Sequence, residues 1–241
     1  MPVIRTKEEI ASLLKHRLDC DFGVTLETAN DENIYRAASA VVGEILRENH
    51  LVFQKKKKKK KAKRVYYLCM EFLMGRSLKN NLYNLKLYEL FAQILKEAGI
   101  NPGRILDFEP DAGIGNGGLG RLGACFLDAL ATGGYPSMGY SICYEFGIFK
   151  QKIVDGWQKE LPDNWLGAGD VWLNERPADE VEVRFGGHIE ELWEGGHNNV
   201  KYVGYTSVRA VPYDMYVSGY DGHGVSVLRL FKAENPGLDM Q

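Results

Sequence analysis

The sequence is poor in the residues that build disulfide frameworks and metal sites. Its four cysteines, Cys20, Cys69, Cys125 and Cys143, are widely spaced, no CxxC occurs, and the five histidines show no ligand spacing with them. Disulfide scaffolds need dense cysteines, and zinc sites need closely spaced cysteine and histidine ligands. We therefore expect neither disulfides nor a metal site, and a reducing cytoplasm fits this composition best.

Long apolar segments and a strong charge of one sign are also missing. No window approaches the roughly 18 apolar residues of a membrane helix. The first residues, MPVIRTKEEIASLL, include charges in the first turn and lack an apolar core of signal-peptide length. The formal net charge of −2 gives no general electrostatic argument for nucleic-acid binding. We expect a soluble cytoplasmic protein without a membrane or nucleic-acid partner.

The sequence does have the composition of a globular protein, and it contains one glycine-rich motif. Its 241 residues are 45% hydrophobic and 26% charged, which is ordinary for one large or two small globular domains. Residues 111–123, DAGIGNGGLGRLG, hold six glycines, and an amphipathic run predicts a helix directly afterwards. The buried face of that helix is predicted to consist of Leu119, Leu122, Phe126 and Leu130.

A glycine-rich loop before a helix has two explanations between which the sequence does not decide. Glycine lets a backbone pass close to a ligand, and a helix N-terminus offers unpaired N–H groups to an anion, which predicts a phosphate or sugar-phosphate site. Alternatively, the glycines serve only the packing of a tight loop. A dinucleotide site is less favoured, because the acidic, proline-containing segment 107–111 is a poor strand and no acid follows at the required distance.

Two helices are predicted in residues 1–54, the helical N-terminal part. Thr6 and Glu9 form a capping-box pattern, and the first helix should end before Gly23. A second helix is predicted to begin near Asp31. Its inner side should be formed by Ile34, Ala38, Val41, Val42 and Ile45.

Seven consecutive lysines, Lys55–Lys61, follow this helix, and Ala62, Lys63 and Arg64 come directly after them. Like charges in such a block repel each other and stay solvated. Residues 55–64 are therefore predicted to be an exposed lysine-rich loop. The alternative interpretation is a nuclear signal or a polyanion-binding patch.

The rest of the chain predicts an α/β core in residues 65–180. Val65–Met70 is apolar and aromatic and predicts a buried strand, and Tyr140–Phe149 predicts another. Between them, Ser77–Ala98 is predicted to be one helix, with Gly99 at its C-terminus.

The last third of the chain has a different pattern. From Val181 onward, apolar and charged residues alternate and are interrupted by glycine pairs, which predicts antiparallel hairpins. Residues 181–241 are therefore expected to be a β-rich extension. Because no closing element follows Val225–Leu230, a strand or a helix, we expect the chain to stop within a domain.

Other polar residues give weaker signals. Glu71 and Arg76 follow the first predicted strand, and they can form a charge pair at the edge where open α/β sheets bind ligands, or a purely structural ion pair. Each histidine is expected to be structural or exposed. The segment VDGWQKELPDNW mixes aromatic rings with carboxylates, a pattern found in sugar sites and, more often, in cores. Its residues of interest are Asp155, Trp157, Asp163 and Trp165.

Four long blocks resemble the α-glucan phosphorylases, the glycogen and maltodextrin phosphorylase family. In detail their sequence is most similar to the bacterial type. They are RVYYLCMEFLMGRSLKNNLYNL (Arg64–Leu85), EPDAGIGNGGLGRLGACFLDALATGGYP (Glu109–Pro136), YEFGIFKQKIVDGWQKELPDNWL (Tyr144–Leu166), and VPYDMYVSGY with VLRLFKAE (Val211–Glu234). Because all four occur in the family's order, the resemblance is specific and extends through nearly the whole chain.

The resemblance implies a glycosyltransferase that releases glucose 1-phosphate from α-1,4-glucan ends by phosphorolysis, in glycogen degradation. It implies pyridoxal 5′-phosphate as cofactor, a homodimer when full length, and allosteric regulation. The implied fold has two Rossmann-like domains (GT-B type) with the active site between them. In that family the glycine loop lies beside the substrate phosphate and sugar, a role that falls here on Asn116, Gly117, Gly118 and Leu119.

The resemblance also sets limits on what this chain is expected to do. The family is several-fold longer, and its Schiff-base lysine lies in a C-terminal cofactor domain that has no counterpart in residues 1–241. We therefore expect an incomplete N-terminal domain that binds no pyridoxal phosphate and is inactive alone. Departures from the family pattern, such as Cys143 in place of arginine, suggest relaxed constraint. The alternative function is a non-catalytic module that binds glucan or a phosphorylase.

Overall fold

Helices and strands alternate through the computed structural model, which describes residues 5–222 and 224–235. The helices are α1 (Lys7–Phe22), α2 (Asp31–Lys59), α3 (Ser77–Asn84), α4 (Tyr88–Glu97), α5 (Pro102–Phe108), α6 (Gly118–Thr132) and α7 (Leu166–Gly169), with 3₁₀ turns at Asp170–Trp172, Pro177–Asp179 and Tyr220–Gly222. The strands are β1 (Val65–Leu68), β2 (Ser137–Ile142), β3 (Lys150–Val154), β4 (Trp157–Leu161), β5 (Asn174–Glu175), β6 (Val181–Glu194), β7 (His197–Ser218) and β8 (Val225–Glu234).

The N-terminal helices begin and end where the sequence predicts. Thr6 and Glu9 form the full capping box of α1, and Gly23 closes the helix in the left-handed conformation. Asn30 caps α2 through its side chain, which accepts a hydrogen bond from the Asn33 N–H at 2.8 Å. All five residues predicted for the inner side of α2 are buried.

The lysine run is helical, so the prediction of a loop over residues 55–64 is wrong for its first half. Helix α2 continues through Lys59, and Lys61 then turns the chain with a φ of 50°. Two physical effects favour this. Lysine is a good helix former, and positive charge suits the C-terminal end of the helix dipole.

The helix predicted over Ser77–Ala98 is two helices. Lys86, with a φ of 58°, lies between α3 and α4 and interrupts the backbone pattern. The Leu87 N–H donates to the Leu82 carbonyl at 2.8 Å, which closes the turn. The apolar spacing continues through the break, and for that reason the sequence did not reveal it.

A mixed six-stranded sheet lies at the centre of the fold. Its order is β1-β2-β8-β7-β5, and β6 pairs with β7 outside this path. The β1–β2 and β2–β8 pairs are parallel, whereas β7 pairs with β8, β5 and β6 in antiparallel fashion. Strands β3 and β4 form a separate hairpin. The chain is thus mixed α/β, as predicted.

Helices cover both faces of strand β8. Val227 pairs with Tyr216 on β7, and the ring of His50 from α2 lies 5.2 Å from the Tyr216 ring. Ser226 points to the other face, where its hydroxyl donates to the Leu127 carbonyl of α6 at 2.8 Å. The two helices account for the nearly continuous burial of residues 225–230, the first six of β8, which is typical of strands covered on both faces.

The other end of the sheet is open within the part of the chain that is described. Strand β1 pairs only with β2, and Tyr66 and Leu68 are 56% and 76% exposed, so the prediction of a buried strand is wrong. The second predicted strand, Tyr140–Phe149, ends already at Ile142. An apolar sequence therefore predicted both strands, but the burial of β1 was not predictable from it.

Helix α6 turns the opposite face to the core from the one predicted. Leu119, Leu122 and Phe126 are exposed, with Leu119 at 77%, and Leu130 is half-buried. The buried residues are instead Gly120, Gly123, Ala124, Leu127 and Ala131. Small residues let α6 pack closely on the sheet, and the large apolar residues form an exposed stripe.

A long hairpin confirms the predicted β extension. Strands β6 and β7 pair from Val181 with Ala210 to Glu194 with His197. Gly186 and Gly187 have φ values of 69° and 73° and lie within β6, so they kink one hairpin rather than separate two. Residues 236–241, on which the expected break within a domain partly rests, lie outside the described residues. Within residues 5–222 and 224–235, no helix has the length and apolar character to cross a membrane.

We expect the chain expressed alone to be largely insoluble or to bind a hydrophobic dye strongly. Unburied apolar surface forfeits roughly 25 cal/mol per Å², against net stabilities of only about 5–15 kcal/mol, and an open strand edge templates aggregation. Leu68→Lys with Leu119→Lys should raise the soluble fraction. Ile153→Lys, at a similarly exposed residue on the separate hairpin, is the control.

A monodisperse monomer with a sharp, cooperative melt would contradict this expectation. It would show that the chain is a self-sufficient domain and would favour the non-catalytic module over a part of a larger enzyme.

Candidate functional site

The glycine loop leads directly into the N-terminus of helix α6. Gly117 is the N-cap residue in an extended conformation, with φ −142° and ψ −168°, and no side chain caps the helix. The first N–H groups of an α-helix lack partners within the helix. The start of α6 therefore presents main-chain donors and the positive end of the helix dipole, an arrangement suited to an anion.

The four residues predicted for the site lie together at this helix start. Asn116, Gly118 and Leu119 are exposed, and Gly117 is half-buried. The structure therefore brings these four residues together at the surface. None of the four provides an ionisable side chain, so recognition at this point rests on main-chain groups.

Four glycines of the loop fall into two groups, which separates the two explanations for them. A Cβ at Gly115 would lie 2.5 Å from the Leu73 nitrogen, and one at Gly113 would collide with the Trp165 ring. Hence these two glycines are required for packing. A Cβ at Gly117 or Gly118 would meet no atom within 4 Å, and neither residue has a positive φ.

Packing and backbone strain therefore do not explain Gly117 and Gly118. Glycine at these two positions leaves the N–H groups uncovered on all sides, which a close approach of another molecule to the backbone requires. This division favours a ligand-binding function for the second half of the loop and a packing function for the first half.

The segment after β1 fixes the loop in place. The Phe72 N–H donates to the Ile114 carbonyl at 2.8 Å, and the Leu73 N–H donates to the Gly120 carbonyl at 2.9 Å. These bonds hold the loop on both sides of its exposed residues. The main-chain donors at the start of α6 are thereby oriented before any ligand arrives, which is the condition for strong electrostatic stabilisation.

Glu71 contacts the loop rather than Arg76, so the predicted pair between these two residues does not form. A carboxylate oxygen of Glu71 accepts a hydrogen bond from the Asn116 N–H at 3.3 Å. Arg76 instead binds the Asp107 carboxylate at 2.9 Å. The expectation of a polar group at the carboxyl end of the strand is right for Glu71, although its partner is different.

Sequence reasoning missed Glu109, which anchors the segment leading into the loop. Its carboxylate is buried and accepts hydrogen bonds from the Ser77 and Leu78 N–H groups and from the Trp172 indole, at 2.7–2.8 Å. Burial raises the pKa of Glu109 to about 7, and the three N–H donors act in the opposite direction. The acidic residues directly before the loop are the sequence signal for such a role.

The tryptophans and aspartates of VDGWQKELPDNW do not form one site. Trp165 is buried, and its indole donates to the Tyr144 carbonyl at 3.0 Å. Trp157 is 76% exposed on the β3–β4 hairpin, and Asp155 lies in the turn of that hairpin. Asp163 contacts Lys150 at 3.5 Å. Trp165 is thus a core residue, and no sugar platform of paired rings is assembled.

The four histidines within the described residues lie apart from the loop. The His50 ring nitrogen is 3.3 Å from the Val225 carbonyl, and burial lowers the pKa of this residue. His16, His188 and His197 are exposed, as the sequence suggested, and His223 lies outside the described residues. In the described part of the chain, no group of three or more histidine, cysteine, aspartate or glutamate side chains is arranged to hold a metal ion.

Comparison with known proteins defines the class to which this fold and loop belong. Residues 95–241, more than half of the chain, match the family model described as carbohydrate phosphorylase. The chain belongs to the carbohydrate phosphorylase family, which confirms the resemblance seen in the four sequence blocks.

Curated relatives agree with this assignment. The chain is similar to the glycogen phosphorylase of Bacillus subtilis, with 40% identity over 95% of this chain and 29% of the relative. It is 41% identical to the glycogen phosphorylase of Saccharomyces cerevisiae over 87% of this chain and 25% of the relative. It is 42% identical to the muscle form of glycogen phosphorylase of Homo sapiens over 86% of this chain and 24% of the relative. The chain thus spans about a quarter of the length of these relatives.

For the two groups of glycines we predict different effects on stability when one methyl group is added. We expect Gly115→Ala to destabilise the fold by about 1–3 kcal/mol, because the new Cβ overlaps the backbone of residues 72–73. Gly117→Ala should leave stability nearly unchanged. A chimera in which this chain replaces the matching segment of the Bacillus subtilis glycogen phosphorylase provides a full-length background, and urea midpoints measure both effects. Equal losses in the two variants would show that the whole loop is a packing element.

Proposed function

We propose that this chain supplies the glycine-loop part of the active site of a glycogen phosphorylase. The reaction is the phosphorolysis of α-1,4-glucan ends to glucose 1-phosphate. The observation that supports this most is the uncapped start of α6, where Gly117 and Gly118 leave main-chain donors open without any packing reason for glycine. Membership in the carbohydrate phosphorylase family supplies the reaction class.

In this proposal the loop acts by hydrogen bonding to negative charge. Phosphorolysis brings inorganic phosphate to a glycosidic bond, so anionic oxygens must be held beside the sugar while the bond breaks. The N–H groups at Gly117, Gly118 and Leu119 provide donors whose direction is fixed by the packing of the loop. Donors that need no reorganisation during the reaction stabilise developing charge most effectively.

The described residues do not fit the cofactor-binding half of such a site. The family uses pyridoxal 5′-phosphate, which is attached to a lysine as a Schiff base. Lysines with that role are commonly desolvated in a pocket, and among the described residues no lysine is buried. We therefore assign no step through the cofactor to this chain, and we place the cofactor in a C-terminal domain of the full-length enzyme.

We propose a domain layout that follows from this function. Residues 1–54 form the helical N-terminal part, residues 65–180 the α/β core segment and residues 181–241 the β-rich extension of one N-terminal domain of GT-B type. Residues 55–64 connect the first two, with Lys55–Lys59 as the end of α2. The full-length enzyme is proposed to be a cytoplasmic, allosterically regulated homodimer.

We predict that this chain alone does not catalyse phosphorolysis. The reason is that the Schiff-base lysine and the basic phosphate ligands of the family belong to the C-terminal domain. The measurement is release of glucose 1-phosphate from glycogen by the purified chain, with phosphate and added pyridoxal phosphate. Protein purified in parallel from a host lacking phosphorylase is the control. Turnover by the chain under these conditions would contradict the proposal.

In the chimera, Gly118→Val should reduce the rate far more than it reduces stability. A side chain at this position covers the donors at the start of α6, and losing one preorganised donor typically lowers the rate by roughly 10²–10³. Gly43→Val is the matched control, because Gly43 is also helical and a Cβ added there would meet no atom within 4 Å. If Gly118→Val retained the parental rate, the loop would have only a structural function.

A further inference from the structure

The end of helix α2 concentrates the positive charge of the protein. The basic tip, residues 55–64, consists of seven lysines, Ala62, Lys63 and Arg64, whereas the whole chain has a formal net charge of −2. Every residue of the tip is exposed except Lys57, which is half-buried. The tip is therefore a local cationic surface on a nearly neutral protein.

The charges of the basic tip are not neutralised within the described structure. Across residues 5–222 and 224–235, no acidic side chain forms an ion pair with any residue of the tip. Arg64 donates to the Gln54 side-chain oxygen at 2.6 Å, and the Lys57 ammonium lies 5.3 Å above the Phe53 ring. Neither contact removes positive charge, so the field of the tip acts on solvent.

The geometry places these cations around the helix as well as in a hollow beside it. Successive helical residues are rotated by about 100°, so the five lysines Lys55–Lys59 surround the whole circumference of α2. Five of the nine residues that line the hollow are cationic, and the other four are Leu51, Gln54, Ala62 and Pro136. The five are Lys55, Lys57, Lys58, Lys61 and Arg64.

Repulsion within the tip adds a second, thermodynamic argument. Lysines three and four residues apart on a helix are neighbours, and each like-charge pair destabilises the helix. Lys55 has such neighbours at Lys58 and Lys59, and Lys56 has one at Lys59. A bound polyanion would remove this repulsion, so its binding is coupled to the stability of the end of α2.

The residue types and their arrangement select one class of polyanion. Ammonium groups are point charges that bind phosphate oxygens without the planar geometry of arginine. A flat membrane would contact only one side of cations that surround a helix. Single-stranded nucleic acids are held partly by base stacking on aromatic rings, and residues 55–64 contain no aromatic residue. Phe53 is buried, and the exposed rings of Tyr66 and Tyr135 lie outside the tip.

We propose that the basic tip binds inorganic polyphosphate, a flexible linear polymer of phosphate with one negative charge or more on every unit. Such a chain can wrap around the helix end and enter the adjacent hollow, and it needs no base or lipid contacts. This site is separate from the glycine loop and does not depend on the function proposed for that loop.

The direct test is fluorescence anisotropy of labelled inorganic polyphosphate with the 241-residue chain over a series of salt concentrations. Binding should weaken steeply with salt, because each neutralised phosphate releases counterions, with a slope of about −0.7 per contact for single-stranded polyanions. A variant with Lys55→Gln, Lys56→Gln, Lys58→Gln and Lys59→Gln should reduce the magnitude of the slope by about 3 and the affinity by at least about tenfold. Glutamine and lysine have similar helix propensity.

The matched control changes the same number of charges elsewhere. Lys79→Gln, Lys152→Gln, Lys159→Gln and Lys201→Gln are all at exposed positions away from the tip, and this variant should keep the parental affinity and slope. Polyphosphate should also raise the melting temperature of the parent and not that of the tip variant. An equal loss of affinity in the control variant would overturn the proposal, because binding would then follow net charge alone.

Two further experiments identify the ligand and test the basic tip in a full-length enzyme, where poor solubility of the chain does not matter. Single-stranded RNA of equal charge, or vesicles rich in phosphatidylserine, should bind more weakly than polyphosphate, and tighter binding of either would overturn the assignment. Grafting residues 54–64 into the Bacillus subtilis glycogen phosphorylase at the matching position should confer polyphosphate binding on a full-length enzyme. Failure of the graft to bind would equally contradict the proposal.

Discussion

The backbone of residues 72–73 lies against the glycine loop at Gly115, and the position of the candidate site depends on this contact. Any side chain at Gly115 would overlap Phe72 and Leu73, so only glycine permits the approach. The same segment then binds the loop through the Phe72 and Leu73 N–H groups. Because residues 72–73 closely follow the edge strand β1, the contact joins the sheet to the start of α6 and fixes the direction of its free donors.

The loop also contains glycines that packing does not require. The fold needs glycine at Gly113 and Gly115, where an added Cβ would come closest to neighbouring backbone or ring atoms. Gly117 and Gly118 have open space beside them, and they lie where the helix offers uncapped N–H groups. We propose that these groups face an anionic substrate, and the open space beside the two glycines keeps them accessible.

Local signals in the sequence predicted the local structure well. The capping box at Thr6 and the end of α1 at Gly23 depend on neighbours within a few residues, and both are confirmed. The β6–β7 hairpin is also confirmed, because its signal is the alternation of residues along each strand and the glycines between them. The apolar residues Leu68 and Leu119 were predicted to be buried and are exposed, because burial depends on what covers a surface and not on the residue itself. The helical lysine run shows the opposite case, in which helix propensity outweighs charge repulsion at a helix end. Glu109 was missed since its three donors come from distant parts of the chain.

The most direct test of the central claim is the position of a bound sugar phosphate relative to the start of α6. In a crystal structure of the chimera with glucose 1-phosphate, we expect a phosphate or sugar oxygen within about 3 Å of the N–H group of Gly118 or Leu119, the distance of a hydrogen bond. A ligand bound in the active site with these N–H groups facing only water would contradict the account, because the loop would then be a packing element and nothing more.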